Sequence, residues 1–171
     1  MVRLGNQMRL VKLGTVAIDD TAQIIVAAEV GNNAIDAGQL VPILQAVQTN
    51  TGHAPSQVLA DAGYRSKKNF GDLADSPTEI VGAMGREGKR CAQIKALTQP
   101  HTVAMAAKLQ TPEEQAAYRR RKWLAEPSSR WIKSVLGFRQ FSLGGMHRVQ
   151  AEFKLVFLAL NLRRMGAMRA A

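Results

Sequence analysis

An α/β fold built on a mixed sheet is the reading that three features of this 171-residue sequence support. Short Val- and Ile-rich runs bounded by turn residues lie in its first half. Amphipathic helical patterns stand between and after them. The order is strand pair, helix, strand, helix, strand, then helices, which is the order of an α/β domain. With 46% hydrophobic and 21% charged residues, the chain has the composition of one globular domain with its own core.

Residues 1–14 show no clear period. Thr15 to Ile18 and Gln23 to Val30 read as two strands, with Asp19-Asp20-Thr21 as the turn. Gly31-Asn32-Asn33 breaks the second. Asp36 can cap a helix that carries Leu40, Val41, Leu44 and Val47 on one side and ends at Thr51-Gly52-His53. Gln57 to Ala60 is a short strand running into Asp61-Ala62-Gly63-Tyr64. Ser66 opens a short helix to Leu73, and Thr78 to Gly82 is another strand.

Residues 85–110 are polar and mixed, and read as an insertion or linker with some helix near Val103 to Leu109. Thr111-Pro112-Glu113-Glu114 is a helix start: Thr111 caps, Pro112 takes the first position, and Glu114 completes a capping box. That helix is expected to be interrupted near Pro127 and to resume to Leu136. Gly137 ends it, and Phe138 to Phe141 connect to a last helix from about Gly145 to Met165. There Val149, Phe153, Val156, Phe157 and Leu160 form a core-facing stripe.

Net charge is +10, and its placement matters more than its size. From Tyr118 onward there are 12 Lys/Arg against 2 Asp/Glu, whereas the first 117 residues hold 11 of each. A basic excess confined to the C-terminal third points to a polyanionic partner, nucleic acid first. One cysteine, Cys91, excludes an internal disulfide and fits a reducing, cytoplasmic setting. The start does not resemble a signal peptide, and the apolar run Leu155 to Leu160 is too short to span a bilayer.

Two places carry chemistry. Asp61 stands at a strand's C-terminal end, where open α/β sheets place their ligands, although an Asp that caps a turn is the commoner meaning. Tyr118 to Lys133 holds four consecutive cations, one carboxylate, Glu126, and then Lys133 seven residues on. Tyr118, Arg121 and Ala125 or Glu126 share roughly one helical face. The surrounding cations favour the ionised form of Glu126, which can hold a divalent metal while the cations hold phosphates. On charge alone, a solvated basic helix with one counter-charge is the commoner meaning.

Four stretches resemble the bacterial insertion-sequence transposases of the DDE type. They are Gln23 to Ala27, Leu59 to Tyr64, Tyr118 to Lys133 and Gly137 to Phe141. The family's signature is Tyr, two residues, Arg, about three residues, Glu, six residues, Lys. Tyr118, Arg121, Glu126 and Lys133 match it with one extra residue before the Glu. The resemblance runs from about Asp19 to Met165. It implies an RNase H-like fold in which three acids bind two Mg²⁺ (or Mn²⁺) ions for phosphodiester cleavage and strand transfer. Asp61 resembles the second Asp and Glu126 the catalytic Glu, both as metal ligands. Arg121 and Lys133 would hold DNA phosphates, and Tyr118, Arg119, Arg120, Lys122, Arg130 and Arg139 extend the DNA-binding patch.

The departures from the family are informative. The first Asp of such enzymes sits on a strand upstream of Thr15, yet residues 1–14 contain no acid. Asp19 and Asp20 are the nearest acids and read as turn residues. The expectation is therefore an N-terminally truncated copy, its sheet incomplete at the first strand and its N-terminal DNA-binding region lost, inactive alone. Residues 1–14 stand as an unassigned start. Ser128-Ser129-Arg130 replaces the apolar residues and Gly usual after Glu-Pro, and is expected to weaken packing behind the helix. The alternative from another class is a non-catalytic basic module that binds DNA through its C-terminal third. DNA is the expected partner and a homodimer stays open. His53, His101 and His147 lack metal spacing with each other or with Cys91, and Gly85-x-x-Gly88 lacks the context of a phosphate loop. Trp123 and Trp131 read as core anchors.

Overall fold

The Val- and Ile-rich runs become strands and the amphipathic runs become helices. A computed structural model describes residues 2–4, 7–9, 14–31, 36–82 and 99–170. β1 (Val2–Leu4) and β2 (Gln7–Arg9) form a short antiparallel pair where the sequence shows no period. β3 (Thr15–Ile18) and β4 (Ile25–Glu29) form a second antiparallel pair. A 3-10 turn at Asp36–Gln39 leads into α1 (Leu40–Thr51), which ends at Gly52 with φ +82°. β5 (Gln57–Ala60), α2 (Lys67–Asp72) and β6 (Glu79–Gly82) make a strand–helix–strand unit whose strands pair in parallel. α3 (Pro100–Lys108), α4 (Pro112–Ser134) and α5 (Met146–Ala170) complete the order.

The expected single mixed sheet is thus realised as two half-sheets. The β3–β4 and β5–β6 ladders are separate among the described residues. Other boundaries follow local chemistry. The second strand starts at Ile25, because Gln23 takes φ 57° in the turn. Asp19 does act as a turn residue: its carboxylate accepts from the Ala22 N–H at 2.7 Å, and its own N–H donates to the Ile24 carbonyl at 2.9 Å. Ser66 caps α2 by accepting from the Asn69 N–H at 2.9 Å, and Thr111 caps α4. Residues 85–98 of the expected linker region, with Cys91, lie outside the described residues. Its helix starts earlier than Val103, at Pro100, where a missing N–H costs nothing.

α4 runs unbroken through Pro127, against the expected interruption. A proline removes one i→i−4 hydrogen bond and leaves that carbonyl without its donor. The carbonyl here belongs to Trp123, and Gln23 Nε2 donates to it at a long 3.5 Å. A side chain a hundred residues away in sequence replaces the lost N–H.

Among the described residues, three apolar clusters hold the layers together. The largest joins Ile25 and Ala28 of β4 to Val149, Phe153, Phe157 and Leu160 of α5, with Ile132 and Phe141 beside them. Phe138, Phe141, Phe153 and Phe157 meet edge to face in succession, with centroids 5.4, 5.8 and 4.6 Å apart. α1 covers the same pair through Ala27, Ile43 and Val47. Leu40, Ala60, Phe70 and Ile80 form the core of the parallel half.

α5 also closes the outer edge of β4 with two carboxamides. The Ile25 N–H donates to Asn161 Oδ1 at 2.8 Å, and Asn161 Nδ2 donates to the Ile25 carbonyl at 2.9 Å. The Val30 N–H donates to Gln150 Oε1 at 2.6 Å, and Gln150 Nε2 donates to the Ala28 carbonyl at 2.8 Å. Eleven helical residues rise about 16 Å, and five strand residues span about the same, so the two amides meet the strand in register. Each amide imitates a neighbouring strand and satisfies an edge that would otherwise invite pairing.

Asn161→Ala leaves one N–H and one carbonyl of β4 partly buried without a partner, and should cost about 2 kcal/mol. Lys154→Ala removes only an exposed ion pair with Glu29 at 3.3 Å and should change stability by less than about 0.5 kcal/mol. Urea unfolding of the two variants checks the contrast.

Glu152 ties the connector to α5. Burial works to raise its carboxyl, but the N–H groups of Ser142 and Leu143 donate to it at 2.8 and 3.0 Å and hold it below its ordinary value of 4.5. A depressed folded value adds stability that is present above the unfolded value and is lost as pH falls through the folded one. The stability gap between the parent and Glu152→Gln should therefore be full near neutrality and shrink below pH 4.5, as thermal unfolding against pH will show.

Candidate active site and nucleic-acid interface

The parallel half-sheet places Asp61. β5 ends at Ala60, and Asp61 follows in extended backbone (φ −74°, ψ 165°) as the cap of a single 3-10 turn at Ala62–Tyr64. Its Oδ1 accepts from the Ala62 N–H at 2.7 Å, and the residue is exposed. So the strand-end position expected from sequence is real. The capping role is real as well, and a carboxylate can accept more than one such bond. Tyr64, at the end of the same turn, donates its hydroxyl to Thr15 Oγ1 at 3.0 Å. That bond brings the C-terminal end of β5 to the start of β3.

α4 packs against both β5 and β6, so the basic helix lies on the half-sheet that carries Asp61. Arg119, Arg120, Arg130 and Lys133 of α4 are exposed, as is Arg139 of the connector, and Tyr118 is half-buried. The side chains of Arg121, Lys122 and Glu126 lie outside the described residues. Positions can still be compared along the continuous helix at about 100° per residue. Positions 119, 126, 130 and 133 fall on one side of α4, opposite the buried Ala117, Ser128 and Ile132. The extra residue before position 126 therefore matters. Position 125, not 126, shares the side of Tyr118 and position 121.

Ser128 has a use that sequence reading missed. It is only 2% exposed, and Arg164 Nη2 of α5 donates to its Oγ at 2.8 Å. Burial lowers the pKa of Arg164, with the neighbouring Arg163 adding to the effect, and Arg163 itself stacks over Trp131 at 5.1 Å. Here the hydroxyl expected to weaken the packing joins α4 to α5. Of the two expected core anchors, Trp131 packs against the main cluster, but Trp123 is 77% exposed.

The donor chemistry of a carboxylate suits a hard divalent cation. Among the described residues, however, no three His, Cys, Asp or Glu side chains converge on a metal site. Asp19 and Asp20 sit at the far end of β3, beyond Ile18, while Tyr64 ties the Asp61 turn to Thr15 at its start. The described residues thus supply one carboxylate of the expected set, and no metal-dependent step follows from them.

Residues 11–162 match the family described as Transposase DDE domain. The chain belongs to that family. No curated protein and no solved structure matches it. Membership gives this transposase-family chain a family role in DNA transposition, with DNA as the substrate class and a general use of divalent metal in the family. Its α/β architecture of small sheets and helices agrees with such a domain. Among the described residues no helix is long and apolar enough to cross a membrane.

Ser128→Ala should leave the Nη2 of the partly buried Arg164 guanidinium only its long 3.5 Å bond to Gln23 Oε1 and cost about 2 kcal/mol, since hydrogen bonds to charged groups are the stronger ones. Ser129→Ala, one residue on and exposed, should change stability by less than about 0.5 kcal/mol. Chemical denaturation distinguishes the two.

Proposed function

We propose that this chain carries part of an RNase H-like catalytic domain for DNA cleavage and strand transfer, with Asp61 and Glu126 as two of its three acids. The observation that carries the proposal is the position of Asp61 at the C-terminal end of a parallel strand pair against which the basic helix α4 packs. Family membership over residues 11–162 supports the same reading. A divalent ion, Mg²⁺ or Mn²⁺, would supply charge neutralisation and an activated oxygen nucleophile at such a site. Asp61 and Glu126 would hold it. Arg121 and Lys133, extended by Tyr118, Arg119, Arg120, Lys122, Arg130 and Arg139, would hold backbone phosphates, the arginines by a fork and the lysines as point charges.

The separation of the two ladders among the described residues supports a further part of the reading, that the central strand with the first acid is not among those residues. Such a chain works in the cytoplasm, binds DNA and is inactive alone. If Asp61 and Glu126 prove unrelated, the basic face stands alone as a non-catalytic DNA-binding module.

In a Cys91→Ser background, Asp61→Cys with Glu126→Cys should crosslink with a bifunctional thiol reagent spanning roughly 10 Å, the range over which two carboxylates share or bridge metals. Failure of the folded double variant to crosslink removes the catalytic pair.

Binding to duplex DNA should be non-specific and fall steeply with salt. Neutralising about 5 phosphates gives a log–log slope of roughly −4 to −5. Titration at several salt concentrations measures it, and salt-insensitive binding would contradict an electrostatic interface. The chain alone should not nick DNA with Mg²⁺ or Mn²⁺. Robust metal-dependent nicking abolished by Asp61→Ala and by Asp19→Ala or Asp20→Ala would show instead a complete enzyme with its first acid in the β3–β4 turn.

A further inference from the structure

α5 is apolar on two opposite sides. Its inner side sets Val149, Phe153, Phe157 and Leu160 into the core, all of them buried. On the other side Leu155, Leu158, Leu162 and Met165 are 64, 51, 58 and 45% exposed, with Met168 beside them at 50%. A helix that is apolar all round is ordinarily a buried one. The outer side repeats at steps of three and four residues, and the same steps lead back to Ala151 and on to Arg169. That spacing is the seam along which one helix meets another of the same repeat.

We infer that the outer side of α5 pairs with the same side of α5 in a second copy of this chain, antiparallel, about a two-fold axis level with residue 160. The register argues for this partner. It sets Leu158 opposite Leu162 of the second copy, Leu155 opposite Met165, and Ala151 opposite Arg169, and the axis repeats each pair. The stripe is thus its own complement from residue 151 to residue 169, over about 27 Å. The charges choose the same direction. α5 holds five cations and one acid, Glu152. A parallel pair would set Arg169 against Arg169 across the seam, which repels. The antiparallel pair lays the Arg169 stem on Ala151 and brings its guanidinium within one residue of Glu152 along the axis.

The area is that of a small interface. An unfolded chain exposes about 1.45 Å² per dalton, hence about 165 Å² for a leucine and about 190 Å² for a methionine. At their fractional exposures the five apolar side chains leave about 450 Å² open per copy, the size of the largest and often functional patches of a monomer. Pairing covers about 900 Å² of it, and the Arg169 stem with Ala151 and Ala159 brings the total to the roughly 1,000 Å² that a specific contact needs. α4 of a second copy does not offer a matching face, because its exposed side carries Arg119, Arg120, Arg130 and Lys133 and meets the cations of α5 with like charge. The inference is independent of any role of Asp61 or Glu126.

Sedimentation of the full, nuclease-treated chain between about 10 and 300 μM should show a reversible monomer–dimer equilibrium, the behaviour of an interface this small. Each copy carries a net charge of +10, so raising salt from about 0.1 to 0.5 M should leave the dimer as tight or tighten it, the reverse of DNA binding. Leu158→Glu should weaken dimerisation about tenfold or more while circular dichroism stays unchanged, since the side chain is 51% exposed. In a Cys91→Ser background, Leu155→Cys mixed with Met165→Cys should oxidise to a crosslinked heterodimer. Leu155→Cys alone should not, because its two copies stand about 15 Å apart along the axis. If the glutamate variant unfolds, the mixed crosslink decides alone. A monomer at every concentration overturns the proposal. A dimer that Leu158→Glu leaves intact overturns the α5 contact. Crosslinking by Leu155→Cys alone as strong as by the mixture overturns the antiparallel register. A dimer lost at high salt shows bridging by charge, and overturns the apolar seam.

Discussion

Backbone groups at the rim of a sheet must find partners, and α5 supplies them for β4 through Gln150 and Asn161. The rest of the helix is set by those two amides. Phe153 and Phe157 lie between them and are thereby aimed at Ile25 and Ala28. Glu152, two residues past Gln150, meets the connector at Ser142 and Leu143. Arg164, three past Asn161, reaches Ser128 and so ties in α4. A one-residue slip would turn every one of these side chains by about 100°, so the hydrogen bonds fix a register that apolar packing alone would leave loose.

The apolar skeleton is legible in the amino-acid sequence. The Val149 to Leu160 stripe, the caps Thr111 and Ser66, and the strand-end position of Asp61 are local signals, each carried by a few neighbouring residues. What escapes is non-local. Gln150 and Asn161 flank the stripe and look like the polar side of an amphipathic helix, and nothing nearby says that they face an edge strand. Pro127 reads as a break because its compensation, Gln23, sits in a turn far away in sequence. Ser128 reads as a packing fault because its partner is 36 residues on. The separation of the ladders escapes for a related reason: strand patterns report which residues are apolar, not which edges find a neighbour.

The site has the same two layers of legibility. Asp61 can be picked out because an acid directly after the C-terminal end of a strand stands where α/β sheets place their ligands. The phosphate-binding expectation rests on composition, and the exposure of Arg119, Arg120, Arg130, Lys133 and Arg139 is consistent with it. Such residues position a polyanion and read no sequence. They lie on α4 and the connector, whereas the first 117 residues of the chain hold equal numbers of acids and bases. The carboxylate at the end of β5 then lies on the half-sheet that this basic helix covers.

The phase of α4 connects these points. A helix that continues through Pro127 carries position 126 round with Arg119, Arg130 and Lys133, since seven, four and seven residues return close to the same side. Without the extra residue before it, the acid would stand with Tyr118 and position 121, a side nearer the buried Ala117, Ser128 and Ile132. One inserted residue in a rigid helix is a turn of about 100°, far too large for side-chain torsions alone to absorb. The acid can return to the Tyr118 side only if the helix itself changes pitch between 121 and 127, and proline is the residue that makes such a change cheap, because the hydrogen bond that would resist it is already missing. The Gln23 amide at the Trp123 carbonyl is then the contact that holds the straight form, at 3.5 Å a weak one.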